Sequence, residues 1–302
     1  MTMRIVYLAK GARGVACLDH MLRSGYAPVA VAHAADPVEP ELAALVSECG
    51  ATLIDGVRPR EQAFVEQVAG FEPHLLIMAG YNRIIGRELL SVPRHGVLNL
   101  HGGRVPGYRG AAPINWQIIN GETEGACTVL YADEGVDTGP VLDEARYPIG
   151  PNEDAAQVLQ RTIELFPPLL VGVLDQFAAG SPPPGRAQKR DAGTWWCRRF
   201  PEDGLIDWPQ MTAEQVHNLV RALVDPYPNA HTHLEGELLP IIRTRLPARD
   251  VRGRPGRVLG READMVLVGC RDRAIGVVKV KDRQGQVKPA RELLHLYTML
   301  GQ

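Results

Sequence analysis

Residues 4–14 have the sequence RIVYLAKGARG, an apolar run that ends in a loop with two glycines. A helical pattern follows, because Val15, Leu18 and Met21 recur on one face. The alternation continues, with strands expected at 29–32, 52–54, 75–79, 96–100 and 126–131 and helices at 39–49 and 61–68. Short apolar strands that alternate with helices are typical of βαβ units. The sequence therefore predicts an α/β fold with a doubly wound parallel sheet.

One longer helix is expected at 156–174, where apolar residues recur with helical spacing. Pro167 and Pro168 fall inside this segment. Because proline lacks a backbone donor and clashes with the preceding turn, we expect the helix to break or bend there.

The clearest boundary in the chain is the sequence GSPPPG at 180–185. We place a first domain at 1–185, an extended linker at 186–209 and a C-terminal domain at 210–302. In the C-terminal domain, Thr212 and Gln215 have the spacing of a capping box that begins a helix. Short strands are then expected at 230–234, 238–245, 256–259, 265–269 and 274–280. Their even spacing predicts a small antiparallel β-barrel.

The composition is that of an ordinary globular protein, with 45% apolar and 23% charged residues. The net charge of −2 is unevenly distributed. Residues 1–189 hold 15 Lys and Arg against 21 Asp and Glu, a net charge of −6, whereas residues 190–302 hold 18 against 14, a net charge of +4. The basic part suits contact with phosphates, but the bias is too weak to indicate nucleic acid by itself.

The five cysteines are an odd number without a repeated short spacing, which argues against a disulfide framework and a zinc site. No apolar run approaches the roughly 18 residues that a membrane span needs. The start, MTMRIVYLA, is too short for a secretory signal. We therefore expect a reducing cytoplasm and no membrane partner.

Two polar motifs stand out, NLHGG at 99–103 and DEGVDTG at 133–139. Asn99 and His101 are two residues apart, so on an extended strand their side chains share a face. A histidine, whose ordinary pKa is about 6.5, takes a proton from an amine. Asp137 would support the charged ring, and the Asn99 amide would donate to an oxyanion. Since both motifs follow apolar strands, we expect the three to converge at one sheet edge and to catalyse acyl transfer.

A simpler interpretation is that both motifs are only turns at the ends of strands. The segment between them argues against it. Glycines at 102, 103, 107 and 110 and prolines at 106 and 113 make a long loop of restricted conformation. A loop of this kind in a compact domain indicates binding.

The sequence NLHGGRVPGYRGAAPINW at 99–116, NGE at 120–122 and DEGVDTG at 133–139 together resemble the 10-formyltetrahydrofolate-dependent formyltransferase family. The resemblance is close over 75–150 and looser over the whole chain. It implies a Rossmann-like catalytic domain followed by an OB-like β-barrel. It also implies an enzyme that passes the formyl group of 10-formyltetrahydrofolate to a primary amine, with Asn99, His101 and Asp137 as its catalytic residues.

The resemblance further indicates where the two substrates bind. The pterin pocket of the formyl donor is expected to be lined by Met78, Tyr81, Arg83, Ile84, Ile85, Asp133 and Val136. The acceptor is expected to contact Gly102, Gly103, Arg104, Tyr108, Arg109 and Lys10.

The glycines at 11 and 14 also raise the possibility of a dinucleotide loop. Their spacing, G-x-x-G, lacks the G-x-G-x-x-G pattern that lets the backbone approach a pyrophosphate. His33 follows the second strand, where a ribose-binding acidic residue would be expected. We therefore expect no NAD.

Three functions are open, and they differ in the acceptor of the formyl group. The protein could formylate a nucleotide-linked amino sugar, or it could formylate methionyl-tRNA. It could also act without an amine acceptor, as a formyltetrahydrofolate hydrolase or a folate-binding protein. The run GAAPI at 110–114 and the C-terminal barrel favour tRNA. The net charge of −6 over 1–189 disfavours a phosphate-rich partner, and AKGARG at 9–14 departs from the Gly-Thr-Pro run usual in methionyl-tRNA enzymes. HGGRVPGYR at 101–109 and PEDGLIDW at 201–208 are more similar to the sugar enzymes. We therefore expect a nucleotide-linked amino sugar as acceptor and partner, with tRNA as the alternative.

Three other features have a structural explanation beside a functional one. Trp195 and Trp196 could stack a nucleobase, although packing of the linker against the first domain is favoured. An arginine-rich stretch could meet phosphates but is favoured as solvated surface, at Arg243, Arg245, Arg249, Arg252, Arg254 and Arg257. His231 and His233 share a strand face but have no third ligand, so we expect no metal.

Overall fold

The structure, a computed structural model, describes residues 3–33, 37–54, 58–189 and 192–301. The chain divides into two compact units. The first is Met1–Gly110, Gly125–Tyr147 and Gln160–Trp196, and the second is Ala111–Glu124, Pro148–Leu159 and Cys197–Gln302. The expected linker at 186–209 thus contributes to both units, and the expected domain boundaries stay a prediction.

A mixed sheet organises the first unit. Its strands and the short segments beside them are β1 (Ile5–Ala9), β2 (Ala30–His33), β3 (Thr52–Ile54), β4 (Leu75–Ala79), β5 (Val97–His101), β6 (Arg109–Gly110), β7 (Glu124–Tyr131), β8 (Val141–Pro148) and β9 (Trp195–Trp196). The sheet has the order β3-β2-β1-β4-β5-β7-β8. The first five strands run parallel, whereas β7 is antiparallel to β5. β6 pairs separately with β9.

The central position of β1 explains its composition. All five of its residues are 0% exposed, and β2 and β4 pair with its two edges. A parallel strand that is buried on both faces has no solvent-facing positions, so its sequence is a continuous apolar run rather than an alternating one.

The helices are α1 (Gly11–Arg23), α2 (Pro40–Cys49), α3 (Gln62–Ala69), α4 (Arg87–Leu90), α5 (Pro113–Ile119), α6 (Ala155–Ala178) and α7 (Ala213–Ala222). Among the described residues, none of them has both the length and the apolar character needed to cross a membrane.

The expected break in α6 is wrong, because the helix runs from Ala155 to Ala178 through Pro167 and Pro168. Each interior proline costs about 3 kcal/mol. Buried side chains on the same helix offset this cost, since each contributes roughly 1.5–3 kcal/mol. Those that are 0% exposed near the prolines are Phe166, Leu170, Val173 and Leu174.

The second unit is built on an antiparallel sheet. Its strands are β10 (His231–Leu234), β11 (Glu237–Arg245), β12 (Val258–Glu262), β13 (Met265–Gly269), β14 (Ala274–Lys281) and β15 (Val287–Pro289). The order is β10-β11-β14-β13-β12, with β15 beside β14. Two isolated β-bridges join residues 299 and 300 to the two ends of this strand order. Leu300 pairs with Leu234 of β10, and Met299 pairs with Arg257, which directly precedes β12. The predicted fold class, a Rossmann-like domain followed by a small β-barrel, is confirmed, and the antiparallel sheet of the second unit forms a half-barrel.

The predicted capping box begins α7. Gln215 N–H donates to Thr212 Oγ1 at 3.1 Å, and Thr212 N–H donates to Gln215 Oε1 at 2.9 Å. We expect Thr212→Ala to lower the free energy of unfolding by about 0.5–2 kcal/mol, measured from the urea midpoint. Thr212→Ser keeps the hydroxyl acceptor and should unfold close to the wild-type midpoint. A wild-type midpoint for the alanine variant would contradict the role of the cap.

Candidate active site

Asn99, His101 and Asp137 lie together in the first unit. Asn99 and His101 project from β5, and Asp137 belongs to the segment between β7 and β8. Asn99 Nδ2 donates to Asp137 Oδ1 at 2.9 Å, and His101 Nδ1 lies 3.4 Å from Asp137 Oδ2. The side chains of His101 and Asp137 are 6% and 10% exposed, so water screens charge at this point only weakly.

Each ring nitrogen of His101 faces an oxygen. Nε2 lies 2.5 Å from the backbone oxygen of Tyr108, and Nδ1 faces the Asp137 carboxylate. A neutral imidazole carries one N–H, and we assign it to Nε2, because Nε2 lies 2.5 Å from its acceptor whereas Nδ1 lies 3.4 Å from the carboxylate. The lone pair then lies on Nδ1, so Nδ1 is the atom that can take a proton, beside a carboxylate that stabilises the imidazolium.

Asp137 adopts a backbone conformation that is rare outside glycine. Its φ is 54°, in the left-handed region that costs of order 1–3 kcal/mol for such a residue. Its Oδ2 accepts the Gly110 N–H at 2.9 Å, while its Oδ1 accepts one N–H of Asn99. The Asn99 amide has a second N–H, which can donate to an oxyanion.

The path by which Asp137 reaches β5 differs from the prediction. We expected both motifs at the carboxyl ends of neighbouring strands, on one edge of the sheet. β7 is antiparallel to β5, with Tyr131 paired to Leu98, so the two strands end at opposite edges. The three side chains meet because residues 132–139 fold back along β5. The expected reason is therefore wrong, since apolar periodicity carries no information on strand direction.

The residues expected to line the pterin pocket on the β4 side are partly buried and partly exposed. Met78 is paired in register with Asn99 and is 8% exposed. Tyr81 and Ile85 pack against the hydrophobic core of this unit. Arg83 and Ile84 are exposed.

The expected pocket residues Asp133 and Val136 lie in the segment that carries Asp137. Asp133 Oδ1 accepts the Gly135 N–H at 3.1 Å and the Thr138 hydroxyl at 2.5 Å, so this carboxylate stabilises the turn itself. Val136 is exposed. A cavity of about 460 Å³ is lined by this turn and by one side chain of the Gly-rich loop, namely Asp133, Glu134, Gly135, Thr138 and Arg109.

The residues expected to contact the acceptor fall into three groups. Gly102 and Gly103 follow His101 and are buried, and the Thr128 hydroxyl donates to Gly103 O at 2.9 Å. Arg104 is half-buried. These three residues directly follow His101 in the sequence.

Tyr108 and Arg109 are 5% and 1% exposed, so they are packed inside the unit rather than presented to solvent. The Arg109 guanidinium donates to Gln188 Oε1, from Nε at 3.1 Å and from Nη2 at 2.8 Å. It also donates to Ala192 O at 3.1 Å. The expected acceptor contact by Arg109 stays a prediction, and the structure gives this side chain an internal role.

Lys10 is the N-cap residue of α1, and its backbone N–H donates to Ala79 O at 3.2 Å. The next residue, Gly11, donates its N–H to the Glu39 carboxylate at 3.0 Å, and Glu39 also pairs with His33. A helix N-terminus of this kind is where a dinucleotide would place its pyrophosphate. Here a carboxylate of the chain itself lies at that position.

The segment around the two tryptophans packs on the Gly-rich loop within the first unit. Trp196 stacks on Tyr108, with ring centroids 5.6 Å apart. Trp195 donates from Nε1 to Val136 O at 3.2 Å. Gln188, in the same segment, was missed by sequence reasoning because its hydrogen-bond partners lie 49 to 79 residues away.

The arginine-rich stretch of the second unit is mostly paired on the surface. Arg245, Arg249 and Arg252 form ion pairs with carboxylates, namely Asp264, Glu262 and Asp250. Exposed pairs of this kind contribute little to stability. Arg243 and Arg254 are exposed.

Two family models match the chain. Formyl transferase matches residues 23–174, and Formyl transferase, C-terminal domain, matches residues 199–297. With the α/β fold and the Asn-His-Asp site, these matches define the class of protein, an enzyme that transfers a formyl group. The chain belongs to the formyl transferase family, as the motifs predicted.

Relatives over most of the chain carry a more specific name. A methionyl-tRNA formyltransferase from Geobacter metallireducens is 36% identical over 234 residues, which is 77% of this chain and 73% of the relative. A methionyl-tRNA formyltransferase from Citrifermentans bemidjiense is 30% identical over 306 residues, 98% of this chain and 94% of the relative.

Solved structures share the fold at lower identity. HypX from Aquifex aeolicus, in complex with tetrahydrofolic acid, has a TM-score of 0.66 and 23% identity, over 97% of this chain and 47% of HypX. An N-formyltransferase from Helicobacter canadensis, in complex with folinic acid and dTDP-3-aminofucose, has a TM-score of 0.67 and 17% identity, over 91% of this chain and 98% of its own. These likenesses show the fold, and the predicted formyl donor, 10-formyltetrahydrofolate, agrees with the chain's membership of the formyl transferase family.

The expected acceptor, a nucleotide-linked amino sugar, is wrong, and so is the nucleotide sugar as partner. Relatives named methionyl-tRNA formyltransferase are 30% to 36% identical over most of the chain, whereas the protein bound to an amino sugar nucleotide is 17% identical. The prediction relied on net charge and on short segments at 9–14, 101–109 and 201–208. Charge summed over 189 residues does not describe the local surface that meets phosphates.

Proposed function

We propose that this protein transfers the formyl group of 10-formyltetrahydrofolate to the α-amino group of methionyl-tRNA. The main support for methionyl-tRNA as the acceptor is sequence identity. The chain is 30% identical to a methionyl-tRNA formyltransferase across 98% of this chain and 94% of that relative. The five cysteines are all free, which supports a reducing compartment such as the cytoplasm.

We assign the chemistry to the Asn99, His101 and Asp137 side chains. Bound 10-formyltetrahydrofolate supplies an activated formyl group on its N10. His101 Nδ1 takes the proton that the attacking amine loses, and Asp137 stabilises the resulting imidazolium from 3.4 Å. The second N–H of Asn99 stabilises the negative charge on the formyl oxygen. Protonated His101 then returns the proton to the departing folate N10 as the bond between N10 and the formyl carbon breaks, so that tetrahydrofolate leaves and His101 is neutral again. The low exposure of His101 and Asp137 strengthens both interactions.

A buried hydroxyl group at Tyr81 supports a pterin site. The Tyr81 hydroxyl is buried and has no hydrogen-bond partner among the described residues, and burial raises the pKa of Tyr81 to about 12. A buried hydroxyl without a partner costs free energy. A heteroaromatic ring with donors and acceptors at its edge would supply the missing hydrogen bond. We therefore keep Tyr81, Met78 and the Asp133–Val136 turn as the proposed donor site.

A tRNA acceptor requires neutralisation of phosphates. Arg243 and Arg254 are exposed, and neither has a carboxylate within salt-bridge distance in the described parts of the chain. We propose that these two arginines contact the RNA backbone.

The proposed function is tested by acceptor choice. Purified protein with 10-formyltetrahydrofolate is incubated with methionyl-tRNA, free methionine or a nucleotide-linked amino sugar. We expect only methionyl-tRNA to gain the mass of a formyl group, and we expect the rate at subsaturating tRNA to fall steeply as salt rises.

A reaction without any acceptor is the control. Loss of the formyl group to water at the full rate would identify a hydrolase and contradict the proposal. Formylation of the amino sugar alone would also contradict it.

A further inference from the structure

A segment of the first unit outside the two catalytic motifs lies directly against them. We name residues 186–189 and 192–196 the strap. Thr194 in the strap accepts the Arg109 N–H and donates its own N–H to Pro106 O, both at 3.1 Å. The strap therefore pairs with the Gly-rich loop through the backbone.

Gln188 joins the strap to the turn that carries Asp137. Its Nε2 donates to Asp137 O at 2.9 Å and to Gly139 O at 2.7 Å. Its Oε1 accepts from Arg109 Nε at 3.1 Å and from Nη2 at 2.8 Å. A flipped amide would place oxygen against two carbonyls, so the guanidinium on one side and the carbonyls on the other fix its orientation.

The hydrogen bonds from Gln188 stabilise the strained backbone at Asp137. Asp137 has a φ of 54°, and a strained residue keeps its conformation only when its surroundings hold it. Gln188 holds the Asp137 carbonyl, while Gly110 N–H and Asn99 hold its carboxylate. A rotation of the Asp137 backbone would carry its carboxylate away from His101 Nδ1.

We propose that Gln188 is a positioning residue for formyl transfer, which acts on the reaction through Asp137. This inference rests on the proposed function, because its kinetic effect is read in formyl transfer. Gln188 itself does not contact Asn99 or His101 in any described hydrogen bond. Arg109 contributes to this positioning, because its buried guanidinium fixes the orientation of the Gln188 amide.

The first test is kinetic. We expect Gln188→Ala to lower kcat about 10- to 100-fold with little change in KM for either substrate, because a small displacement of a catalytic group has an effect of this size. Gln188→Glu has nearly the same shape but lacks the NH₂ donor, and should lose as much. Gln176→Ala is the matched control, since Gln176 Nε2 donates to Gly172 O at 3.3 Å on an exposed face of α6, and it should keep the wild-type kcat.

A double-mutant cycle separates positioning from general stabilisation. If Gln188 acts through Asp137, Gln188→Ala should cause no further loss of kcat in an Asp137→Asn background. A full additional loss in that background would overturn the inference, as would a wild-type kcat for both Gln188 variants.

An NMR measurement that needs no formyl acceptor tests the role of Gln188 separately from the proposed function. The ring-nitrogen NMR signals of His101, assigned by their absence from His101→Ala, should move in the same direction in Gln188→Ala as in Asp137→Asn. They should not move in Gln176→Ala. Unmoved signals in Gln188→Ala would overturn the inference, whereas wild-type protein that fails to formylate methionyl-tRNA would overturn the proposed function alone.

Discussion

His101→Ala is expected to lower kcat for the formylation of methionyl-tRNA by about 10²- to 10⁴-fold, the contribution typical of a positioned general base. The imidazole is 6% exposed and its Nδ1 lies 3.4 Å from Asp137 Oδ2. Alanine leaves no group there to take the amine proton. Steady-state rates with both substrates saturating measure the change in kcat, and the urea midpoint reports whether the variant is folded.

A matched histidine variant controls for the substitution itself. His295 is exposed and lies in the second unit, so His295→Ala should retain the wild-type kcat. A folded His101→Ala variant with nearly wild-type kcat would remove His101 from the mechanism.

Asn99→Ala is expected to lower kcat by about 10²- to 10³-fold, the effect of removing one oxyanion donor. The KM for methionyl-tRNA should change little, because the negative charge on the formyl oxygen develops only in the transition state. Asn99→Asp should be at least as harmful. It would replace the donor that lies 2.9 Å from Asp137 Oδ1 with a second carboxylate.

Asn152 offers the control for this pair of variants, since it is exposed and Asn152→Ala should have wild-type kinetics. If Asn99→Ala raised KM at an unchanged kcat, the Asn99 amide would contribute to ground-state binding and not to the oxyanion.

Local pattern was enough to predict most of the fold. The run at 4–9 marks a strand that is buried on both faces, and β3 lies at Thr52–Ile54 as expected. The spacing of Thr212 and Gln215 predicted the start of α7. The spacing of Asn99 and His101 placed both side chains on one face of β5. In each case the signal lies within a few neighbouring residues.

What the sequence did not predict depends on partners that are distant along the chain. Pro167 and Pro168 are tolerated because α6 buries a long apolar face. The direction of β7 follows from its pairing with β5. Gln188 reaches Asp137 across 51 residues, a separation that no local pattern records. One argument behind the acceptor prediction failed for a related reason, since net charge is a sum over the chain that omits the arrangement of the charges.

The central claim is that Asn99, His101 and Asp137 move a formyl group from 10-formyltetrahydrofolate to methionyl-tRNA. Its most direct test is a single-turnover reaction with the protein in excess over methionyl-tRNA, followed by mass analysis of the released amino acid. We predict complete conversion to N-formylmethionine by the wild-type protein, and a rate lower by at least about 10²-fold in His101→Ala. No N-formylmethionine from the wild type, or an equal rate in a folded His101→Ala variant, would contradict the claim.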